Sequence, residues 1–348
     1  MLQFGMPLGA IQRLLKEMGE PRYRATQVAE WLYKHHVSSI DQMCNIPASL
    51  RIELAKGSAE VRTPEPSGRH QSSDGTVRYA FAAATHQPAV FETAVIPDRR
   101  RTTLCVSVQA GCAVGCRFCL TGRNGLKADL STGEILSQYR NIDERDAITN
   151  IVYMGMGEAA HNLQAVFDSL TVFTADWGYR FSPRRITLST VGILPEFGQL
   201  LDETDVNIAL SLHAADPQVR RRLVPTEHRH PAAEIVEMLR NRHAQCQAPF
   251  LESGRRRVSF ELTMLGDVND RESDARALIK LVGGLPCRVN LIPWNPFPDT
   301  DLAPSPPERI ETFQRILKEA GIMTTIRRSR GQEIGAACGL LAGTTRRS

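Results

Sequence analysis

The sequence predicts an α/β protein: a partial (β/α)6 barrel with a small N-terminal helical accessory domain and a short β-hairpin. From about Thr103 onward, strand-like and helix-like segments alternate six times. A loop with three closely spaced cysteines follows the first strand, and polar side chains stand at the ends of several others. The alternation alone also fits an open doubly wound sheet. The cysteine loop favours the partial barrel, in which ligands gather at the C-terminal ends of the strands.

The region before the barrel is predicted to be mainly helical. Apolar side chains recur at helical spacing across residues 8–57. A polar segment rich in Gly and Ser, residues 64–75, is predicted to be a linker. Two strand-like runs at 76–82 and 89–96 then predict the hairpin. The expected division is an N-terminal helical domain, a β-hairpin extension, the barrel and a C-terminal tail, at residues 1–74, 75–100, 101–330 and 331–348.

The barrel strands are predicted from short runs of apolar and β-branched residues. These runs occupy residues 104–108, 150–153, 185–189, 206–211, 258–262 and 289–292. The helical patterns that follow them lie near residues 133–139, 163–173, 195–201, 232–242, 272–282 and 307–320. A last strand at 323–326 is expected before a Gly-rich tail.

The three cysteines of the loop, Cys112, Cys116 and Cys119, have the spacing C-x3-C-x2-C. Three thiolates can hold three irons of a 4Fe–4S cube, whereas a structural zinc takes four ligands, and no fourth Cys or His follows closely. A secreted disulfide framework would suit a chain much shorter than 348 residues. The triplet therefore predicts a 4Fe–4S cluster with one open iron. That iron can chelate S-adenosylmethionine (SAM) and cleave it to a 5′-deoxyadenosyl radical.

Composition restricts the partners and the location. Hydrophobic residues at 42% and charged residues at 23% are ordinary for a globular protein, and no apolar stretch approaches the roughly 20 residues that cross a bilayer. Eight cysteines without an apolar signal segment favour a reducing, cytoplasmic location. The net charge is only +4, but the arginines are clumped. The guanidinium group of arginine binds phosphates in two-point contact. Charge alone therefore leaves two interpretations open: the arginines bind a nucleic acid, or they are solvated residues of surface loops.

Polar residues near the strand ends are candidate SAM ligands because they lie at the same end of the barrel as the cysteine loop. Glycine lets the backbone approach a ligand, and a glutamate can accept hydrogen bonds from an ammonium group. Taken singly, each of these residues could equally be a turn or cap residue. The candidates are Gly157, Glu158, Ser189, Ser211, Leu212, His213 and Asn295.

Several motifs together resemble one family. They are Cys105-Val-Ser-Val-Gln-Ala-Gly-Cys112 with the cysteine loop, Met154 to Glu158, Ser211-Leu-His, Ile292-Pro-Trp-Asn-Pro-Phe and Ala336-Ala-Cys338-Gly. The chain resembles the RlmN/Cfr family of radical SAM methyltransferases from about Leu8 to Gly343. The resemblance implies methylation of adenine carbon 2 or carbon 8 in 23S ribosomal RNA and, in some members, in transfer RNA. It also implies one 4Fe–4S cluster, two SAM molecules per turnover and an RNA-binding N-terminal domain.

The resemblance gives roles to three further residues. Cys338 takes a methyl group from one SAM and becomes S-methylcysteine, from which the radical made from a second SAM removes hydrogen. The carbon radical then adds to the adenine and links the RNA to the protein. Cys105 attacks the Cys338 sulfur to release the product, leaving a disulfide. Glu92 is the implied proton acceptor. From the residues alone, Cys105 would be a buried strand cysteine, Cys338 a free thiol and Glu92 a surface charge.

The motifs do not separate the two branches of the family. Ala159 resembles the carbon-8 branch, whereas the Ile292 motif resembles the carbon-2 branch, and Leu340 stands where Gln is usual. One alternative is another radical SAM enzyme acting on RNA, but residues 1–100 hold a single cysteine, Cys44, and no second cluster motif. Another alternative is a non-catalytic Fe–S protein that binds RNA or senses redox state, which would not need the strand-end polar groups. An electron donor of the flavodoxin type and a monomeric state are also expected.

Overall fold

The computed structural model describes residues 1–56, 60–84, 88–245 and 256–342. Three helices form the N-terminal region, as predicted: α1 (Leu8–Glu17), α2 (Tyr23–Tyr33) and α3 (Ala48–Leu54). Ile11 and Leu15 on one face of α1 are almost fully buried, which is the pattern expected of an amphipathic helix.

The remaining helices lie between the strands of the sheet. They are α4 (Leu120–Arg123), α5 (Thr132–Arg140), α6 (Leu163–Thr174), α7 (Glu196–Glu203), α8 (Pro217–Leu223), α9 (Ala232–Gln245), α10 (Glu272–Val282) and α11 (Pro307–Glu319). The first turn of α5 is closed by a capping box, in which Ser131 and Glu134 each bond the other's backbone N–H. Among the described residues, no helix combines the length and the apolar character needed to cross a membrane.

The described residues contain twelve strands. They are β1 (Pro66–Gln71), β2 (Val77–Ala82), β3 (Val90–Asp98), β4 (Arg101–Cys105), β5 (Gln109–Ala110), β6 (Ala128–Asp129), β7 (Asn150–Tyr153), β8 (Ile186–Thr190), β9 (Asn207–Ser211), β10 (Val258–Met264), β11 (Arg288–Pro293) and β12 (Met323–Ile326). Ten of them form one sheet in the order β1-β2-β3-β4-β7-β8-β9-β10-β11-β12. The sheet is antiparallel from β1 to β4 and parallel from β4 to β12.

This arrangement confirms the predicted partial barrel. The six predicted barrel strands correspond to β4, β7, β8, β9, β10 and β11, and β12 extends the parallel part by one strand. Apolar side chains of β7 to β11 are buried, as in a parallel sheet covered by helices. The C-terminal ends of these strands therefore lie on one side of the molecule, where the cysteine loop also begins.

Two local predictions are wrong. The segment predicted as a linker contains β1, which pairs with β2 as the edge strand of the sheet. Its polar side chains suit an edge strand, and Pro66 lies beside an irregularity in the pairing, where a missing N–H is tolerated. The first barrel strand ends at Cys105 and not at residue 108, because Ser107 exchanges two backbone hydrogen bonds of 2.8 Å with the Gln138 side chain.

One arginine joins the N-terminal helices to the barrel. Arg140, at the end of α5, donates hydrogen bonds to the backbone carbonyls of Leu32 (2.8 Å), His36 (3.0 Å) and Val37 (2.8 Å). These carbonyls lie in the last turn of α2 or just after it, where helix carbonyls have no partner within the helix. The helical region is thereby held against the barrel, and the boundaries expected between the domains stay a prediction.

Candidate active site

An open cavity of about 960 Å³ lies at the C-terminal ends of the parallel strands. It brings together residues from the cysteine loop, from five strand ends and from the C-terminal tail. The predicted site residues that line it are Cys112, Cys116, Cys119, Gly157, Glu158, Ser189, Ser211, His213, Asn295 and Cys338. Glu92, Cys105 and Leu212 are buried and lie outside that lining.

The cysteine loop is shaped by glycines. Gly111 has a φ of 84°, and a Cβ atom there would lie 1.9 Å from the Gly125 carbonyl oxygen, so this crossing requires glycine. A Cβ on Gly122, within α4, would lie 2.9 Å from the Cys116 backbone nitrogen. Close backbone packing on both sides therefore sets the course of the loop that carries the three thiols.

The donor set fits a 4Fe–4S cluster. Burial raises the pKa of Cys112 to about 12 and that of Cys116 well above its ordinary value, and the other thiols of the loop raise both further. Thiolates so close together need positive charge, which iron supplies. Within the described ranges, no three His, Cys, Asp or Glu side chains are arranged around a single metal ion. In a cube each thiolate binds its own iron, so the three sulfurs need not converge on one point.

Glu158 lies in the loop after β7 and is fixed by hydrogen bonds. Its Oε1 accepts from Thr190 Oγ1 at 2.5 Å and from Ala160 N at 3.1 Å, and its Oε2 accepts from Val191 N at 2.9 Å. Burial raises its pKa, and these three bonds oppose the shift. A carboxylate has about four lone-pair positions. One therefore remains for a donor in the cavity, such as an ammonium group.

The neighbouring strand ends present a polar wall. Ser189 Oγ and Ser211 Oγ lie 3.2 Å apart and both face the cavity. His213 has a φ of 62°, and its Nδ1 accepts from Thr263 N at 3.1 Å, which leaves Nε2 as the nitrogen that carries the proton. Burial, assisted by Arg220, lowers the pKa of His213 to about 3, so the ring is a neutral donor at pH 7.

Leu212, also predicted as a SAM ligand, is fully buried. Its backbone N donates to the Glu261 carbonyl at 3.1 Å, and its own carbonyl accepts from Arg220 Nε at 3.0 Å. Both backbone groups of Leu212 are therefore engaged within the protein.

The C-terminal segment 327–342, called the strap below, contributes Arg327, Cys338 and Gly339 to the cavity lining. Asn295 binds the strap twice, because its Nδ2 donates to the Cys338 carbonyl at 3.0 Å and its Oδ1 accepts from Gln332 Nε2 at 2.6 Å. The helix after the cysteine loop binds it from the side, through Leu120 N to the Gly339 carbonyl at 2.8 Å. Asn295 thus contacts the tail in this structure.

The first part of the strap rests on the turn between β1 and β2. Gly331 N donates to Asp74 Oδ2 at 2.9 Å, and Glu333 Oε1 accepts from Ser72 Oγ at 2.5 Å and from Ser73 N. The antiparallel extension of the sheet therefore supports the segment that carries Cys338.

Cys105 and Cys338 are both free thiols in this structure. Burial raises the pKa of Cys105 to about 12, and the nearby Cys338 raises it further. The protein around Cys338 also raises the pKa of that thiol, while Arg327 opposes the shift at both sulfurs. Cys105 and Cys338 are thus close enough for the charge of Cys338 to affect the pKa of Cys105, and Arg327 affects the pKa of both thiols.

Glu92, predicted as the proton acceptor, is fully buried on β3, so the alternative that it is a surface charge does not hold. Its Oε1 accepts from Arg78 Nη1 at 2.8 Å, and its Oε2 accepts from Ala342 N at 2.8 Å. The end of the strap thus lies on this carboxylate. In this structure the backbone of Ala342 therefore occupies the second oxygen of Glu92.

Two charged residues of the cavity were missed. Glu261 lies in the middle of β10, and Arg327 follows β12. A glutamate within an otherwise apolar strand run was a usable signal for the first. Arg327 was seen only as one member of an arginine clump, and nothing local placed it at the cavity.

Comparisons with known proteins agree with this site. Residues 4–61 match the ribosomal RNA large subunit methyltransferase N-terminal domain, and residues 106–277 match the radical SAM superfamily. The chain is 41% identical over 339 residues to a probable dual-specificity RNA methyltransferase RlmN of Parabacteroides distasonis, covering 97% of this chain and 95% of that protein. It is 40% identical to the dual-specificity RNA methyltransferase RlmN of Marinobacter nauticus, covering 99% and 94%.

A solved structure extends the likeness to the whole fold. The crystal structure of a radical SAM methyltransferase from Sphaerobacter thermophilus matches with a TM-score of 0.87 at 37% identity, covering 99% of this chain and 100% of that one. The chain belongs to the RlmN family of radical SAM methyltransferases, as its motifs predicted.

Proposed function

We propose that this protein methylates a ring carbon of adenine, carbon 2 or carbon 8, in 23S ribosomal RNA and also in transfer RNA. The observation that carries the proposal is that Cys338 and the cysteine loop line the same cavity, with Cys105 close behind its wall. Electron transfer by a cluster needs no thiol beyond the three of the loop, whereas two further thiols beside the loop suit methyl transfer followed by release. The relatives named as dual-specificity RNA methyltransferases support the choice of substrate.

The cavity residues divide between the two cofactors. When bound, the 4Fe–4S cluster and SAM supply the methyl group and a 5′-deoxyadenosyl radical. Cys112, Cys116 and Cys119 would hold the cluster. The residues that would hold SAM are Gly157, Glu158, Ser189, Ser211, His213 and Asn295. Leu212, whose own backbone groups are engaged within the protein, would hold its neighbours Ser211 and His213 in place.

Cys338 is the methyl acceptor. Its sulfur must be a thiolate to attack a methyl group, and Arg327 favours that form because its positive charge lowers the pKa of Cys338 against the effect of the other surroundings. After methylation, the methyl group stands inside the cavity, within the space that the cysteine loop borders.

Cys105 releases the product. Its thiolate attacks the Cys338 sulfur, so that a disulfide bond forms while the bond from that sulfur to the transferred carbon breaks; the electron pair stays with that carbon, which takes up a proton and becomes the methyl group of the product. Both thiols are free in this structure, which is the state that begins a turnover. An external reductant of the dithiol or flavodoxin class must restore them.

Glu92 accepts the proton from the adenine carbon. Its present contacts to Arg78 and Ala342 keep it inside the protein, so this role requires the end of the strap to leave when RNA enters. We expect Arg78 to remain beside the carboxylate and to fix its orientation during that movement.

RNA binding is assigned to the N-terminal helices and to exposed arginines. Arg123 stacks on Phe297, 5.4 Å from its ring centroid, next to the strap. Arg99, Arg100 and Arg101 are exposed at the turn between β3 and β4. Such groups suit a phosphate backbone. We also propose that the protein works as a monomer in the cytoplasm, where ribosomal and transfer RNA are found.

The test is product formation by protein whose cluster has been reconstituted without oxygen. Wild type, Cys338→Ser and the control Cys44→Ser are incubated with methyl-deuterated SAM, a reductant and RNA fragments, and the nucleosides are analysed by mass spectrometry. Wild type and Cys44→Ser should give labelled methyladenosine and deuterated 5′-deoxyadenosine, and Cys338→Ser should give neither. Methyladenosine from Cys338→Ser would refute the proposed role of Cys338. Comparison with 2-methyladenosine and 8-methyladenosine standards identifies the carbon.

A further inference from the structure

Glu261 has no role in the function proposed above, yet it lies in the cavity. It stands in the middle of β10, in register with Ser211 of β9 and Asn290 of β11. Its side chain lines the cavity although the residue is only 3% exposed. A buried carboxylate in the centre of a parallel sheet is uncommon unless each of its oxygens has a partner.

One oxygen of Glu261 is held by the protein. Ser259 Oγ donates to Oε1 at 2.9 Å, and Asn290 Nδ2 donates to the same oxygen at 2.7 Å. Asn290 is itself fixed, because its Oδ1 accepts from Thr325 Oγ1 at 2.5 Å. The orientation of the carboxylate is therefore set through a single oxygen.

The other oxygen has no donor. Oε2 of Glu261 is buried and makes no hydrogen bond in the structure. The nearest cation is Arg327, whose Nη2 lies 3.5 Å away, while its Nη1 lies 3.6 Å from the Met154 sulfur. Buried acceptors almost always have a donor, so the geometry points to a donor from a molecule in the cavity.

The position of Glu261 relative to Cys338 indicates which group donates. Both residues line the cavity, and the negative charge of Glu261 is close enough to raise the pKa of Cys338. In the proposed function, carbon 5′ of SAM must reach a methyl group on Cys338, while the amino acid end of SAM is held at the cysteine loop and Glu158. The ribose is attached to carbon 5′, so it comes nearest to Glu261. Its two hydroxyl groups are the only donors that it carries.

We propose that Glu261 binds the ribose of SAM, with Oε2 accepting a hydrogen bond from the 2′- or 3′-hydroxyl. This inference rests on the proposed function, because it places SAM in the cavity with carbon 5′ toward Cys338. A carboxylate that binds a ribose hydroxyl is a recurring solution in nucleotide sites. Here it also fixes the distance from the ribose to the thiol, so Glu261 positions the carbon that reacts.

The experiment measures binding and not turnover. Full-length protein with its cluster reconstituted is titrated calorimetrically with SAM, 2′-deoxy-SAM and 3′-deoxy-SAM. The variant is Glu261→Gln, and the matched control is Glu311→Gln, an exposed glutamate on α11. In Glu261→Gln the amide oxygen should take the place of Oε1, because two donors face it, so an NH2 group replaces the acceptor Oε2.

Wild type and Glu311→Gln should bind SAM about tenfold more tightly than at least one deoxy analogue, and Glu261→Gln should bind all three with affinities within about twofold. Equal weakening of all three ligands would make Glu261 a structural residue and overturn the inference. So would a wild type that does not distinguish SAM from either analogue, or a variant that loses only RNA binding. If wild type binds no SAM at all, the proposed function itself fails.

A second variant tests the inference if Glu261→Gln does not fold. If circular dichroism shows that Glu261→Gln is unfolded, Glu261→Asp takes its place. Aspartate keeps the charge but withdraws the oxygens by one methylene, so the preference for SAM over the deoxy analogue should fall. An undiminished preference in Glu261→Asp would overturn the inference.

Discussion

Arg220 of α8 is a fully buried guanidinium, and its replacement by methionine should destabilise the protein far more than replacement of its neighbours. It forms an ion pair with Glu227, which is also buried. It donates further hydrogen bonds to the backbone carbonyls of Leu212 at 3.0 Å and Val191 at 2.9 Å. These carbonyls belong to the loops that follow β9 and β8, so one side chain ties together two loops of the cavity.

The magnitude follows from the groups left without a partner. Removing one member of a buried ion pair costs about 3–5 kcal/mol. Each carbonyl left unpaired adds about 1–3 kcal/mol, less where water can enter. Arg220→Met should therefore lower the free energy of unfolding by at least about 4 kcal/mol, which is most of the stability of many domains. Arg222→Met, on the exposed side of the same helix, should change it by no more than about 0.5 kcal/mol.

Urea unfolding of the protein without its cluster, followed by circular dichroism, measures both variants on one scale. A loss below about 1 kcal/mol for Arg220→Met, or a loss equal to that of Arg222→Met, would refute the reasoning. If Arg220→Met is too unstable to purify, Arg220→Lys keeps the charge but not the fork of donors. It should lie between wild type and the methionine variant in unfolding free energy, and it should bind SAM more weakly than wild type because the two loops are less firmly held.

Three further outcomes are expected. Gly157 has a φ of 102°, and a Cβ there would lie 2.6 Å from a neighbouring side chain. Gly157→Ala should therefore lower the free energy of unfolding in urea more than Gly321→Ala, because a Cβ at Gly321 would have nothing within 4 Å. Equal losses in the two variants would contradict this. The pKa of His213 falls from its ordinary 6.5 to about 3, so its stabilising contribution is present above pH 6.5 and is lost as the pH falls toward 3. When the pH is lowered from 7 to 4, the free energy of unfolding of His213→Gln should fall less than that of wild type, by up to several kcal/mol. An equal fall in both proteins would argue against a lowered pKa at His213. Thr121→Val removes a 2.6 Å hydrogen bond from the Thr121 hydroxyl to the strap. Because the strap carries Cys338, iodoacetamide should then alkylate Cys338 faster, as measured by mass spectrometry. An unchanged rate would mean that other contacts hold the strap.

The parts of the fold that depend on local pattern were predictable. Strand periodicity and the spacing of the cysteines are properties of short segments, so the barrel strands and the cysteine loop could be placed without a structure. The polar groups at the strand ends followed from the rule that parallel strands share one end of the barrel. The identity of β1 was not predictable, because an edge strand with polar side chains has the composition of a linker.

The long-range contacts could not be predicted. The bond between Glu92 and Ala342 joins residues 250 positions apart, and nothing near either residue indicates it. The same holds for Arg327, which reaches the cavity only because β12 adds a parallel strand after β11. Glu261 was visible as a charge in an apolar run, but its unpaired oxygen depends on the positions of three other side chains.

The strap has a consequence for how this chain can vary. It is pinned at one end where Arg327 N bonds the Leu291 carbonyl at 2.8 Å, and near the other where the Gly339 carbonyl bonds Leu120 N. Between these pins Gln332, Glu333 and Cys338 are needed for their side chains, and the number of residues is fixed as well, since one insertion would carry the sulfur of Cys338 away from its place. Length should therefore be held as strictly as identity along this stretch.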